Sequence, residues 1–294
     1  MVKPSSEHVP VSSIRLSVLT TLAMIAFAGN SLLSRAALGH THIDAASFTT
    51  VRLLAGALML WLVVRLRSSP PVNQGSWLSA LALFVYAVGF SFAYLSLATA
   101  TGALLLFGAV QMTMISYGLG QGERLQKRQI VGLMLSLSGL IGLLLPGLSA
   151  PPLAGALLMV TAGVAWGIYS LRGRGVGNPI QVSAGNFLRA VPLAVVASLL
   201  MLPSLSLDWV GIGYAVASGA LASGLGYALW YSTLPALQAT QAATVQLSVP
   251  VIAALGGIVF LGEAITWRLA LASIAILGGI ALIIRTQGSA SSYG

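Results

Sequence analysis

Long apolar runs, almost free of charge, constrain this chain more than any other feature. Hydrocarbon offers no water to backbone N–H and C=O groups, so a segment crossing it must close its hydrogen bonds inside a helix or a sealed barrel. A spanning helix needs about 20 apolar residues. Ten runs of that order follow one another, at 16–37, 45–64, 77–97, 100–119, 128–145, 153–171, 181–201, 209–232, 238–261 and 266–284. Short polar or Pro/Gly-rich stretches separate them, such as Arg67-Ser-Ser-Pro-Pro and Pro146-Gly-Leu-Ser-Ala-Pro-Pro. The runs are too long and too uniform for strands of alternating polarity. Composition agrees: 57% of residues are hydrophobic and 6% charged, where soluble domains carry about a quarter charged. The expected fold is an all-α membrane protein with ten transmembrane helices.

The runs also repeat. An offset of 137 carries Arg52 to Arg189, Gly89 to Gly226, Phe90 to Tyr227, Tyr94 to Tyr231 and Leu97 to Leu234. With Pro235, Ala236 and Leu237 taken as an insertion, an offset of 140 carries Gly122-Glu123 to Gly262-Glu263, Arg128 to Arg268 and Gly139 to Gly279. A collinear set with one small slip points to duplication, a common plan of secondary transporters. The chain is read as two five-helix repeats, 1–147 and 148–294. Five is odd, so the second copy enters the membrane from the opposite face and the repeats are inverted.

The net charge of +9 is explained by topology. With the N-terminus in the cytoplasm, Lys3, Arg15, Arg65, Arg67, Arg124, Lys127, Arg128, Arg172, Arg174 and Arg285 fall inside, and only Arg35 and Arg268 outside. That asymmetry is the positive-inside rule, so both termini are assigned to the cytoplasm and no nucleic-acid partner is expected. Lys3 and Arg15 before Ala26-Phe27-Ala28 imitate a cleaved signal. Cleavage would remove half of a helix whose counterpart, around Trp166-Gly167, lies deep in the chain, so the segment is read as the first span. The chain has no cysteine and thus no thiolate metal site. His40, His42 and Asp44 lack further His or Cys to complete a metal site, and no phosphate-binding Gly-Lys loop is present. Neither a cofactor nor a catalytic set is expected.

Phe48-Thr-Thr-Val-Arg52-Leu-Leu-Ala-Gly, Ser248-Val-Pro250-Val before Gly262-Glu263, and the echoing Gly122-Glu123 together resemble the ten-helix EamA-type branch of the drug/metabolite transporter superfamily. Among its branches the chain looks most similar to the aromatic amino-acid exporters. The resemblance spans nearly the whole chain. It implies an inner-membrane, multi-pass exporter of small metabolites, with inverted repeats around a central cavity. Val110-Gln111 stands where the second half has Pro250-Val251, so a proline hinge would serve one half only.

Arginine at depth costs roughly 2.5–3.5 kcal/mol on insertion scales, so Arg52 and Arg189 must face protein or water. Each either ties down carbonyls at a helix end or holds a substrate carboxylate through its guanidinium fork. The acids Glu7, Asp44, Glu123, Asp208 and Glu263 all fall in loops or at helix ends. Proton-coupled carriers commonly use an intramembrane carboxylate, so a facilitator or exchanger is expected. Glu123 and Glu263 are read as structural, each favouring the positive start of the helix that follows.

The candidate substrate-binding residues are neutral. They are Asn30 and Ser31 in the first span, Tyr86, Phe90 and Tyr94 in the third, Gln111 in the fourth, Trp166 and Tyr169 in the sixth, Tyr227 in the eighth and Gln246 in the ninth. Phe90 and Tyr94 are four apart and share a helical face, as do Tyr227 and Tyr231. A ring-lined cavity with a few amides suits a zwitterion with an apolar side chain. The expectation is a monomeric secondary transporter exporting amino acids, aromatic or otherwise apolar, by alternating access. A sugar-phosphate or nucleotide-sugar permease and a channel are the alternatives. The first would want more cations at depth than the two present.

Overall fold

The computed structural model describes residues 13–67, 74–122, 126–145, 147, 150–173, 178–233 and 245–290; Glu123 lies outside them. The described residues are helical, with no strand among them. We number the helices α1 Ser13–His40, α2 Ala45–Leu66, α3 Trp77–Tyr94, α4 Thr99–Gly120, α5 Lys127–Leu144, α6 Leu153–Arg172, α7 Pro179–Leu200, α8 Trp209–Thr233, α9 Ser248–Leu261 and α10 Trp267–Ala290. The first eight are long and apolar enough to cross a membrane. In the last two, the shorter apolar stretches Ser248–Leu261 and Trp267–Leu282 are described. The ninth run was expected to start at 238; the described helix starts at 248, preceded by a turn at Leu247, and 234–244 lie outside the described residues.

Local chemistry sets the ends. Asp44 caps α2, its carboxylate accepting from the amides of Ala46 and Ser47 at 3.0 and 2.9 Å. Ser76, Asn178 and Asp208 cap α3, α7 and α8 in the same manner. Pro250 sits in the first turn of α9, where a missing N–H removes no intrahelical bond, so it breaks nothing there. At the other end of α9, Gly262 has φ +65°. That left-handed residue lets the Glu263 amide reach back to the Gly257 carbonyl at 3.0 Å, and a Cβ on Gly257 would collide with the Glu263 carboxylate.

Apolar residues are distributed inside out relative to a soluble protein. Trp209, Trp267 and Phe260 are 87%, 85% and 76% exposed, as suits surfaces bathed in lipid. Small residues at particular crossings let helices approach closely. A Cβ on Gly279 would overlap the Gly132 carbonyl between α10 and α5, and one on Gly219 would overlap the Arg52 carbonyl between α8 and α2. Within α8, Ser218–Leu225 forms a π-helical stretch at that second crossing, a widening often found at functional positions.

The packing has a regular plan. α2 packs on α7, α4 on α9 and α5 on α10. α3 meets α6 as α1 meets α8, α4 meets α6 as α1 meets α9, and α3 meets α7 as α2 meets α8. Two ends can be distinguished. At one, Glu263 bonds the start of α4 and Asp44 bonds the Ser206 amide; at the other, Arg189 and Arg172 bond the segment entering α3.

Candidate substrate site

Ten rings from five helices form one cluster in the middle of the bundle. On α3 the four-residue spacing stacks Tyr86, Phe90 and Tyr94, with centroids 5.3 and 4.8 Å apart. Trp166 of α6 lies 4.9 Å from Tyr86, 5.2 Å from Tyr169 and 5.1 Å from Tyr227 of α8. Tyr227 in turn meets Phe27 of α1, Phe187 of α7 and Tyr231, and Trp230 also meets Phe27. An open ring-lined cavity was expected. Instead Tyr86, Phe90, Tyr94, Tyr169 and Tyr227 are all under 7% exposed: the rings close over one another. Each such pair contributes about 0.5–1.5 kcal/mol beyond its buried area, which favours the closed packing.

Beneath the rings lies Arg52, 2% exposed. Its guanidinium carbon is 4.9 Å from the Phe90 centroid and 5.5 Å from that of Tyr86. Nη2 reaches the Ala87 carbonyl at 3.5 Å, the long limit of a hydrogen bond. Nη1 is buried and has no hydrogen-bond partner. Desolvated cation–π contacts return about 2 kcal/mol, against a similar cost of burying the charge. The unsatisfied Nη1 leaves about 1–3 kcal/mol unrecovered.

A polar group borders this cation. Asn30 of α1 donates through Nδ2 to the Tyr86 hydroxyl at 3.0 Å and accepts at Oδ1 from the Ser218 hydroxyl at 2.6 Å. Ser218 opens the π-helical stretch, so that widening carries a donor to Asn30. Ser31 is buried on α1 and Gln111 on α4, while Gln246, just before α9, is half-buried. The structure thus joins Asn30, Arg52, Tyr86, Phe90, Tyr94, Trp166, Tyr169 and Tyr227 through direct contacts.

Arg189 has different surroundings from Arg52. It is half-buried midway along α7, and Nη1 donates to the Gln74 and Gly185 carbonyls at 3.1 and 2.9 Å. The neighbouring Asn186 accepts from the Ser76 amide, and Arg172 donates to Ser79. Glu263 also departs from expectation. Its carboxylate accepts the Thr99 amide at 2.9–3.0 Å, so it caps α4 rather than favouring α10. Arg35 approaches it at 3.4 Å and donates to the Tyr94 carbonyl. Sequence reasoning missed Ser218, Asn186 and the Arg35–Glu263 pair, all of which depend on partners far away in the chain. Among the described residues no His, Asp and Glu cluster could hold a metal; Asp44 is committed to helix capping.

The model of the EamA-like transporter family matches residues 15–145 and again 153–285. The chain belongs to the EamA-like transporter family. It is a multi-pass transporter of the inner membrane, moving a small molecule, and not an enzyme. An uncharacterised protein of Pseudomonas aeruginosa is 59% identical over 271 residues, 92% of this chain and 94% of its own. The threonine/homoserine exporter RhtA of Salmonella typhimurium is 33% identical over 143 residues, 47% of this chain and 45% of that protein. A solved structure at 20% identity shares the fold, with a TM-score of 0.65 over 91% of this chain and 96% of its own. None of these three names an aromatic amino acid.

Proposed function

We propose that this transporter exports amino acids with apolar side chains, aromatic ones included, and that Arg52 holds their carboxylate. The observation that carries this reading is the Arg52 guanidinium, buried, flanked by two rings and with Nη1 unbonded. A carboxylate accepting from Nη1 and Nη2 would satisfy the orphaned donor and gain a bidentate, charge-assisted bond. The rings that now pack on one another would part around an apolar side chain, and Asn30 and Ser218 would orient the ammonium.

Movement fits two inverted five-helix repeats, 1–147 and 148–294, with both termini in the cytoplasm and ten crossings in all. The interchange of helix contacts between the halves supports this, as does a family model that matches once in each. Rocking of one repeat against the other around the aromatic cluster gives alternating access. The described acids support a facilitator or exchanger: Asp44, Asp208 and Glu263 are all engaged at helix ends.

Counterflow in liposomes tests the reading. Phenylalanine, leucine, threonine and homoserine are to be compared with phenethylamine, a sugar phosphate and an organic cation. Exchange of phenylalanine and leucine in preference to threonine and homoserine, and none of the amine, without an imposed proton gradient, is expected. Exchange of the sugar phosphate in their place, or strict dependence on a proton gradient, sinks it.

A further inference from the structure

A cavity of about 200 Å³ opens at the Glu263 end, apart from the closed aromatic cluster. Its wall is mainly aliphatic, with Leu97, Leu143, Ile258 and Leu269, and among the described residues Glu263 is the one charged side chain that lines it. That carboxylate is ion-paired with Arg35 and accepts the Thr99 amide, yet keeps acceptor positions open. Arg35 approaches Oε1 at 3.4 Å, yet its Nε makes no hydrogen bond. A carboxylate offers about four acceptor positions, and Oε2 carries a single hydrogen bond, from Thr99. A contiguous path joins the cavity to the buried cation: Thr99 receives the Tyr94 hydroxyl at 3.4 Å, Tyr94 packs edge-on against Phe90, and Phe90 lies over Arg52.

We propose that this cavity is a release subsite, in which Glu263 accepts the ammonium of the departing molecule while the aliphatic wall takes its side chain. The nature of the cargo rests on the amino-acid reading above. The two sites are complementary, a cation at depth for the carboxylate and an anion at the outer mouth for the ammonium. Moving between them, a zwitterion exchanges one charged contact for the other. The chemistry recognised, a primary ammonium joined to an apolar group, is shared by a phosphatidylethanolamine headgroup, and the test separates the two.

Leucine amide keeps the ammonium and the side chain and lacks the carboxylate. Its equilibrium binding is to be measured on the full-length protein in phosphatidylcholine nanodiscs. Saturable binding is expected, weakened tenfold or more both by Glu263→Gln and by Ala254→Phe, which fills the cavity and leaves the α4 cap intact. Absent binding, binding unchanged in Ala254→Phe, or equal binding of N-acetyl-leucine overturns the proposal. Displacement of leucine amide by phosphatidylethanolamine in the nanodisc overturns the release role in favour of a lipid headgroup. Leucine counterflow in the same samples separates the two readings. Lost counterflow with intact leucine amide binding counts against the Arg52 site alone, and retained counterflow without that binding counts against this cavity alone.

Discussion

Arg52 and Arg189 occupy corresponding positions of a repeated sequence and do different work. Arg189 lies half-buried and spends its Nη1 on the carbonyls of Gln74 and Gly185, pinning the segment that enters α3. Arg52 is sealed under Tyr86 and Phe90 and keeps Nη1 unbonded. The neighbours decide the difference. Gly185 lets the Gln74 backbone come close enough to take the Arg189 fork, while Gly219 draws the π-helical part of α8 onto the Arg52 backbone and leaves its side chain facing the rings. The role of a residue type that recurs along the chain is therefore set by what the rest of the molecule brings to it.

The sharpest way to break this comparison is Arg52→Gln. Loss of a charge-assisted bond worth about 2–3 kcal/mol predicts a drop in leucine counterflow of roughly 30- to 160-fold; a rate within threefold of the parent would place Arg52 alongside Arg189 as scaffold. Arg52→Lys keeps the charge and loses the fork, so roughly a tenfold drop in the same assay is expected. Arg189→Gln should leave counterflow per folded molecule within about threefold and lower stability by about 1–3 kcal/mol, read as a thermal melt in detergent. Asp208, remote from both arginines, supplies the smallest effect. The amides of His42 and then Val210 hold its carboxyl below the usual range. A depressed value stabilises the folded state above the unfolded-chain value of about 3.9 and loses that contribution as pH falls through the folded value. Asp208→Asn should therefore melt slightly lower than the parent at pH 7, with the gap closing in acid; a gap that widened in acid would contradict the assigned bonds.

Much of the fold was legible because a bilayer imposes a length. Eight of the expected runs coincide with helices long enough to cross, and Asp44, Ser76, Asn178 and Asp208 mark helix starts by local chemistry. The shared face of Phe90 and Tyr94 could be read from its spacing, and the burial of Arg52 from its setting in an apolar run, whereas Tyr86 joins them through the structure. Long-range pairings could not. Nothing near Asn30 announces Ser218, 188 residues on, and the π-helical stretch of α8 carries no mark that distinguishes it from any Gly- and Ala-rich helix. Glu263 was assigned to the helix that follows it; Gly262, by turning left-handed, redirects it to another.

That redirection bears on biosynthesis. The Thr99 amide is satisfied by a carboxylate that leaves the ribosome 164 residues later, so the corner between α3 and α4 must wait, hydrated or provisionally bonded, while most of the polypeptide is still being threaded through the insertion machinery. Nascent chains stalled before Glu263 should leave that corner open to proteases. Its closure then marks the moment at which the late-made half locks the early-made one.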